Sequence, residues 1–494
     1  SLFECSKKAA DFLYNFLTND AAELSRNAIC PSHYMGATEM YRETGDEKYL
    51  TLAKGLIAIR DSVTNGEDHN QDRHKLRDQY EAMGHAVRAN YLYAGVADLY
   101  AETGEAQLMK NLSAIWKDIV NHKIYITGGC GALYDGVSPD GTTYDQPSIQ
   151  QIHQAYGRQF QLPQETAHNE ICAQIGMLLF SWRMFQTTGD GKYLDNIETE
   201  LYNGILSGIS LDGKDYFYTE ALRRTKEFPY VMRWPKHRQH YISCFCCPPN
   251  TVRTLCEAQE YAYSIKDDTL LYVNLYGQNT LTTKDLELEQ TTDYPWDGKV
   301  RIEIKKAKHL KTVKLHIPAW CDGYRVKLNG EEILGGWRFD GQWSKNGVVI
   351  SPTKEHPKWK KGDVIELNLN MKVRLMEANP LVEEAKNQIC VMRGPLVYCL
   401  EGQDIEYTYH INEISLPADI EFKETRTTIA GHEVIALEGE AVQTAPWNEW
   451  NNDTLYRKLW RPRSENKVKI HLIPYYAWDN RGMDDMSVWL NVKR

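Results

Sequence analysis

Three times between residues 41 and 193 the chain repeats one short pattern: Tyr41 to Gly45-Asp46 and Tyr49, Tyr100 to Gly104-Glu105, and Phe185 to Gly189-Asp190 and Tyr193. Each instance puts an aromatic residue in the last turn of an amphipathic segment, a glycine just past it and an acid before the next segment. The glycine suits the left-handed turn that closes a helix, and the acid suits the positive start of the helix that follows. A recurring joint of this kind predicts stacked αα-hairpins, which commits the first half of the chain to helices. Apolar spacing agrees: Ile175, Leu178, Leu179, Trp182 and Phe185 recur at helical period, and Tyr91, Ala94, Gly95 and Ala97 follow His85 in a small-residue helix. Small residues let helices approach closely, as the interior of a helical barrel requires. Between these helices, Gly128 to Pro163 is rich in Gly, Pro, Asp and Gln, too long for a connector, and is expected to cover the mouth of a pocket.

From about Leu270 the period changes to alternation. Val313 to Ile317 alternates, Val326 to Asn329-Gly330 ends in a hairpin turn signal, and Ile365 to Leu375 holds period two for eleven residues. Further strands are expected at Ile389–Val391, Val397–Leu400 and Val468–Ile473. The turn clusters Gly335-Gly336 and Lys358 to Gly362 separate them. This half reads as one or two β-sandwiches behind a helical domain.

Within that frame, Cys244-Phe245-Cys246-Cys247-Pro248-Pro249-Asn250 concentrates three thiols in four positions. Adjacent Cys246 and Cys247 bridge only through a strained ring, whereas two thiolates readily share a soft metal such as zinc. Eleven cysteines without regular spacing describe reduced thiols rather than a disulfide framework. Glu170 and Cys172 stand at the head of the helix containing Ile175, where Cys172 offers another thiolate and Glu170 reads either as a solvated first-turn carboxylate or as a general acid. His33, His85, His153, His168 and Glu198 lie in the same half. A net charge of −10 and no long basic run argue against nucleic acid or an anionic membrane surface as the main partner. No run approaches the roughly 18 apolar residues of a membrane span, and Ser1-Leu2-Phe3-Glu4 lacks a signal-peptide signature. The compartment, bacterial periplasm or cytoplasm, stays open, as does the oligomeric state.

Taken together, Tyr125 to Gly129, Glu170-Ile171-Cys172 to Gly176, Leu201-Tyr202-Asn203-Gly204, Cys246 to Asn250, and Trp478 to Gly482 with Trp489 resemble the bacterial β-L-arabinofuranosidases of glycoside hydrolase family 127. The resemblance covers almost the whole chain. It implies a multidomain α and β protein: an (α/α)6 barrel over 1–265, one β-sandwich from 266–300 and 378–494, and a second from 301–377. Family members carry further barrel helices before the equivalent of Ser1, so the N-terminal part of the barrel is expected to be absent.

The resemblance also implies a retaining exo-hydrolase of plant cell-wall oligosaccharides, in which a zinc-bound cysteine attacks the anomeric carbon. Carried over by motif, Cys246 is the nucleophile and Glu170 the acid/base. His33, His85, Glu198 and Tyr218 are substrate contacts, and zinc is held by Cys172, Cys246 and Cys247. Coordination keeps a thiol deprotonated near neutral pH and so supplies a nucleophile without a separate base. The fourth zinc ligand is expected at position 154 as a glutamate, and the residue there is Gln154. Four arrangements follow: Gln154 through its carbonyl, His153 in its place, three thiolates with water, or no metal and Cys246 activated by its neighbours. The sugar is terminal β-L-arabinofuranose, or an acidic pectic sugar such as aceric acid if Arg158 or the Arg223-Arg224 pair meets a carboxylate. A non-catalytic carbohydrate-binding protein and an (α/α)-barrel lyase or epimerase are the other classes, and the intact Glu-x-Cys and Cys-Cys-Pro-Pro-Asn pairings speak against both.

Overall fold

The computed structural model describes residues 1–27, 32–64, 66–134, 152–226, 231–337, 347–351, 357–444, 450, 454–459 and 466–494. Cys30 and residues 135–151 of the stretch expected over the pocket mouth lie outside the described residues. The helices are α1 (Leu2–Asn19), α2 (Ala21–Asn27), α3 (Ser32–Thr44), α4 (Glu47–Ala58), α5 (Ala86–Thr103), α6 (Ala106–Asp118), α7 (Ile171–Thr188), α8 (Lys192–Thr199) and α9 (Cys247–Glu257). The expected joints fall at α3–α4, α5–α6 and α7–α8. At each, the glycine is left-handed with φ of +66° and its N–H returns to the aromatic carbonyl four residues earlier, Tyr41, Tyr100 or Phe185. A threonine before the glycine completes the joint. Thr44, Thr103 and Thr188 each donate to the carbonyl four residues back and accept the N–H of the acid two residues on. Asp46 and Asp190 then cap the next helix through the N–H groups of Lys48 and Lys192; Glu105 makes no such bond.

Close approach of α5 to its neighbours is set by two glycines. A Cβ on Gly95 would lie 2.4 Å from Tyr34 Cβ, and one on Gly176 2.8–2.9 Å from the Tyr91 ring and Asn90 Cβ. These contacts sit in one helical core running from Ala10 to Leu275. No described helix is long and apolar enough to cross a membrane.

Beyond the helices, the described strands form sheets of ten, six and four strands. The six-stranded sheet, from Asn279–Thr282 to Val364–Leu369, and the four-stranded sheet, which includes Leu270–Val273 and Thr312–Leu315, bury one shared core. Two expectations are corrected here. Strands within 266–300 pair with partners at 299–315 rather than with 378–494: Leu286–Thr292 runs antiparallel to Lys299–Ala307, and Leu270–Val273 parallel to Thr312–Leu315. Alternation marks which face of a strand is buried but not which strand it joins, so the partner was invisible to it. The alternating run Ile365–Leu375 is likewise two strands. It leaves the six-stranded sheet at Leu369, where Asn370 N–H bonds Gly323 O, and Val373–Glu377 enters the ten-stranded sheet beside Gln388–Arg393. The Asn329-Gly330 turn is as expected, with φ of 52° and 87°.

One short stretch ties the helices to all of this. On and just after α8, Asp195 Oδ1 meets His316 Nε2 and accepts the Ala319 N–H, while Asn203 bonds both Pro395 O and the Val397 N–H. Between them, Glu198 is 2% exposed: its Oε1 accepts from the Tyr294 hydroxyl and its Oε2 from Trp320 Nε1 at 2.9 Å. The two oxygens of this expected sugar contact thus each accept a hydrogen bond at a helix–sheet junction.

Burial raises the Glu198 carboxyl from 4.5 to about 7. A raised carboxyl favours the folded state below the unfolded value and loses that advantage as pH climbs through the folded one; here the loss is roughly 3 kcal/mol between the two values. Glu198→Gln is therefore expected to shrink the fall in thermal stability between about pH 5 and pH 8. An unchanged fall would show that Glu198 does not carry the proton.

Candidate active site

Two helix starts meet at the Cys cluster. Glu170 is the residue immediately before α7 and Cys172 is in its first turn; Cys246 immediately precedes α9 and Cys247 opens it, followed by Pro248 in the position where a missing N–H costs nothing. The segment through Tyr218 holds the two together. Ile171 N–H donates to Tyr218 O at 3.1 Å, Glu170 bridges Thr219, and Cys247 Sγ lies 3.8 Å from the same Tyr218 carbonyl. Asn250, one turn into α9, reaches the Tyr91 hydroxyl of α5 at 3.0 Å, which explains its place in the motif.

Cys172 Sγ lies 3.4 Å from Cys247 Sγ, and Cys246 Sγ 3.7 Å from Cys247 Sγ; Glu170 Oε1 is 3.7 Å from both Cys246 and Cys247. Cys172, Cys247 and Glu170 are buried, and Cys246 alone of the four is partly accessible. Their ionisation differs accordingly. Hydrogen bonds from Cys172 and Cys247 hold the Cys246 thiol well below its ordinary range, while donation to Cys246 raises Cys172 and burial raises Cys247. Burial, with the Cys246 charge, raises Glu170 to about 8.

The donor set suits a metal. One atom from each of Glu170, Cys172, Cys246 and Cys247 lies within 4.8 Å of the others. Sulfurs about 2.3 Å from a tetrahedral zinc stand about 3.8 Å apart, close to the spacings here. Glu170 Oε2 is enclosed without a hydrogen-bond partner among the described residues. The place given to Gln154 thus has a competitor in Glu170. Gln154, with φ of 59°, instead sets its Oε1 2.8 Å from His85 Nε2. Its helix-free, left-handed backbone turns it toward His85, a matter of chain path that residue type does not reveal.

Tyr218 sits beside the nucleophile candidate, its hydroxyl 3.8 Å from the sulfurs of both Cys246 and Cys244. Cys244 is exposed and stands outside the donor set. Tyr218 stacks on Trp234 at 3.8 Å and meets His168 edge-on at 6.2 Å; Tyr134 closes the other edge of His168 at 5.1 Å. Trp234 and Tyr134 escaped notice because neither lies in a periodic segment. His168 is buried, and burial lowers it to about 3; His85, stacked near His69, is lowered to about 4 for the same reason. His33 is half-buried against Tyr34, and His153 is exposed. Arg224 is committed inside the protein, to Asp479, Asp484 O and Lys236 O over the Trp478 ring; Arg158 lines a separate cleft.

The catalytic-domain model of the glycoside hydrolase family 127 β-L-arabinofuranosidases matches residues 1–260, the family's middle-domain model 270–371 and its C-terminal-domain model 373–491. A non-reducing end β-L-arabinofuranosidase of Bifidobacterium longum subsp. longum is 30% identical over 522 residues, 98% of this chain and 74% of that protein. A solved structure described as a glycoside hydrolase is 54% identical with a TM-score of 0.93, covering 100% of this chain and 80% of its own. A family 127 β-L-arabinofuranosidase from Geobacillus stearothermophilus T6 is 30% identical with a TM-score of 0.78, over 93% and 72%.

Because thiolate rather than thiol reacts with alkylating agents, metal-stripped protein at neutral pH is expected to take iodoacetamide at Cys246 at least about ten times faster than at Cys172 or Cys247. Peptide mapping over a time course measures this, and equal rates would contradict the charge distribution described above.

Proposed function

The chain belongs to glycoside hydrolase family 127, and on that premise we propose that it is an exo-acting β-L-arabinofuranosidase whose Cys246 thiolate attacks the anomeric carbon of a terminal furanose. The observation that carries this reading is the packing of three thiols and a carboxylate within 4.8 Å, with Cys246 the accessible and most acidic thiol. Attack by sulfur forms a thioglycosyl bond and expels the leaving oxygen, which takes up a proton and departs as the alcohol; water then displaces Cys246 from the opposite face and gives up a proton, so that two inversions give retention with no net proton change. Tyr218, with its hydroxyl beside Cys246, orients the attacking sulfur. A bound zinc would keep the Cys246 sulfur deprotonated and ready to leave again.

Glu170 fits two roles, each supported by an observation. Its Oε1 lies with the thiols and makes it the fourth donor, in which case it holds no proton. Raised to about 8 in the absence of metal, it would instead be protonated at neutral pH and able to serve as the acid/base. We favour the donor role, because the spacing of all four atoms suits one ion. The neutral sugar is favoured over an acidic one because Arg224 is buried and engaged by Asp479 and by carbonyls.

Elemental analysis beside hydrolysis of p-nitrophenyl β-L-arabinofuranoside tests this. Wild type is expected to carry close to one zinc per chain and to release arabinose, and Cys247→Ala to lose both. Metal-free protein that still cleaves would retain the hydrolase and discard zinc; metal-free, inert protein that binds sugar would return the non-catalytic reading.

Glu170→Gln separates the two carboxylate roles. Loss of zinc is expected. Retained zinc, with activity lost on alkyl but spared on nitrophenyl glycosides, would assign Glu170 as the acid instead, because a good leaving group needs no protonation.

A further inference from the structure

A sizeable cavity lies away from the thiols. It is a cleft of about 650 Å³ between the segment Arg158–Thr166 of the helical half and the turn at Leu381–Glu384 beside the ten-stranded sheet. Its walls are pinned across the junction: Gln164 N–H donates to Glu384 Oε2 at 2.6 Å and Gln164 Nε2 to Glu384 O at 2.8 Å. Gln159 is anchored to Asp118, and the Tyr125 hydroxyl to Pro163 O. The cleft is therefore formed in the protein as it stands rather than opened by a ligand.

Phe160 is the unusual residue in it. Its φ of +65° is a conformation that an aromatic side chain rarely adopts, and it is held there by its N–H on His122 O and an edge-on contact of the two rings at 5.2 Å. Backbone held in such a region is concentrated at binding sites. The lining combines the Phe160 and Tyr134 rings with the amides of Gln159 and Gln161, and carries Arg158 together with the carboxylates Glu383 and Glu384. Ring faces beside planar polar groups, with carboxylates and a guanidinium placed to bond hydroxyls, suit a polyhydroxylated ligand. Tyr134 is shared with the thiol site. It lines the cleft and closes on His168, which meets Tyr218 at the Cys246 sulfur.

We propose that this cleft binds the sugar units of the substrate on the leaving-group side of the cleaved bond, making the enzyme selective for oligosaccharides over minimal glycosides. The proposal rests on the glycosidase reading above. Such a site lends its binding energy only to substrates long enough to reach it.

The test compares kcat/KM on p-nitrophenyl β-L-arabinofuranoside and on a β-L-arabinofuranosyl trisaccharide, for wild type, Phe160→Ala and Leu381→Lys. Leu381 is 62% exposed on the opposite wall, so its replacement leaves folding intact even where Phe160→Ala does not. Both variants are expected to lose about ten-fold on the trisaccharide, through KM, and to stay within about two-fold on the nitrophenyl glycoside. An equal loss on both substrates, or no loss on either, overturns the proposal. If wild type cleaves neither, the glycosidase reading fails by itself. Calorimetric titration of the trisaccharide into wild type and Leu381→Lys then decides the cleft, since equal affinities, or no binding to wild type, overturn it.

Discussion

The site depends on the backbone of one residue. Tyr218 O accepts the first N–H of the helix that follows Glu170 and lies against the sulfur of Cys247, so a single carbonyl brings together two helix starts 76 residues apart. Helix starts are positive and present unpaired N–H groups, which favours anionic sulfur and carboxylate there over any other part of a helix. Convergence of two such ends lets three thiols crowd to 3.4–3.7 Å, a spacing tolerable only when protons are shared or a cation is held. The same residue's ring then forms the pocket wall over Cys246.

The rest of the fold serves to keep those helix starts still. Gly95 and Gly176 admit Tyr34 and Tyr91 so closely that α3, α5 and α7 pack as one unit. Asp195 through His316, Glu198 and Asn203 then fix that unit to the sheets by hydrogen bonds that are buried or half-buried, and these bonds are strong and directional where water cannot compete. The motif around Leu201-Tyr202-Asn203-Gly204 is therefore a joint rather than a pocket. A Cβ on Gly204 would stand 1.6 Å from Gln174 Oε1, and Asn203 is saturated by backbone of the ten-stranded sheet.

Much of this was legible residue by residue. The Thr-Gly-acid joints announced their helices because the glycine conformation and the cap are local, set within five residues of chain. The strands were legible for the same reason, and the Cys246-Cys247 pair declared a metal-type site because adjacent thiols have few other uses. Legibility stopped where two distant segments had to be placed side by side. Glu198 read as a pocket carboxylate, and only the fold shows that Tyr294 and Trp320 donate to its two oxygens. Gln154 read as one of four ways to complete a zinc site, and only the fold shows that its Oε1 meets His85 Nε2. The Ile365–Leu375 run read as one strand although it changes sheets at Leu369.

By itself, then, the sequence determined the helical half, the strand content and the residue types of the site, because each is fixed by nearest neighbours along the chain and by the period with which apolar groups recur. The tertiary structure alone decided which carboxylate joins the thiols, which sulfur is both accessible and acidic, and which strands share a sheet. Those outcomes depend on contacts between residues tens to hundreds of positions apart. They depend too on desolvation, which exists only once the chain has closed around the group.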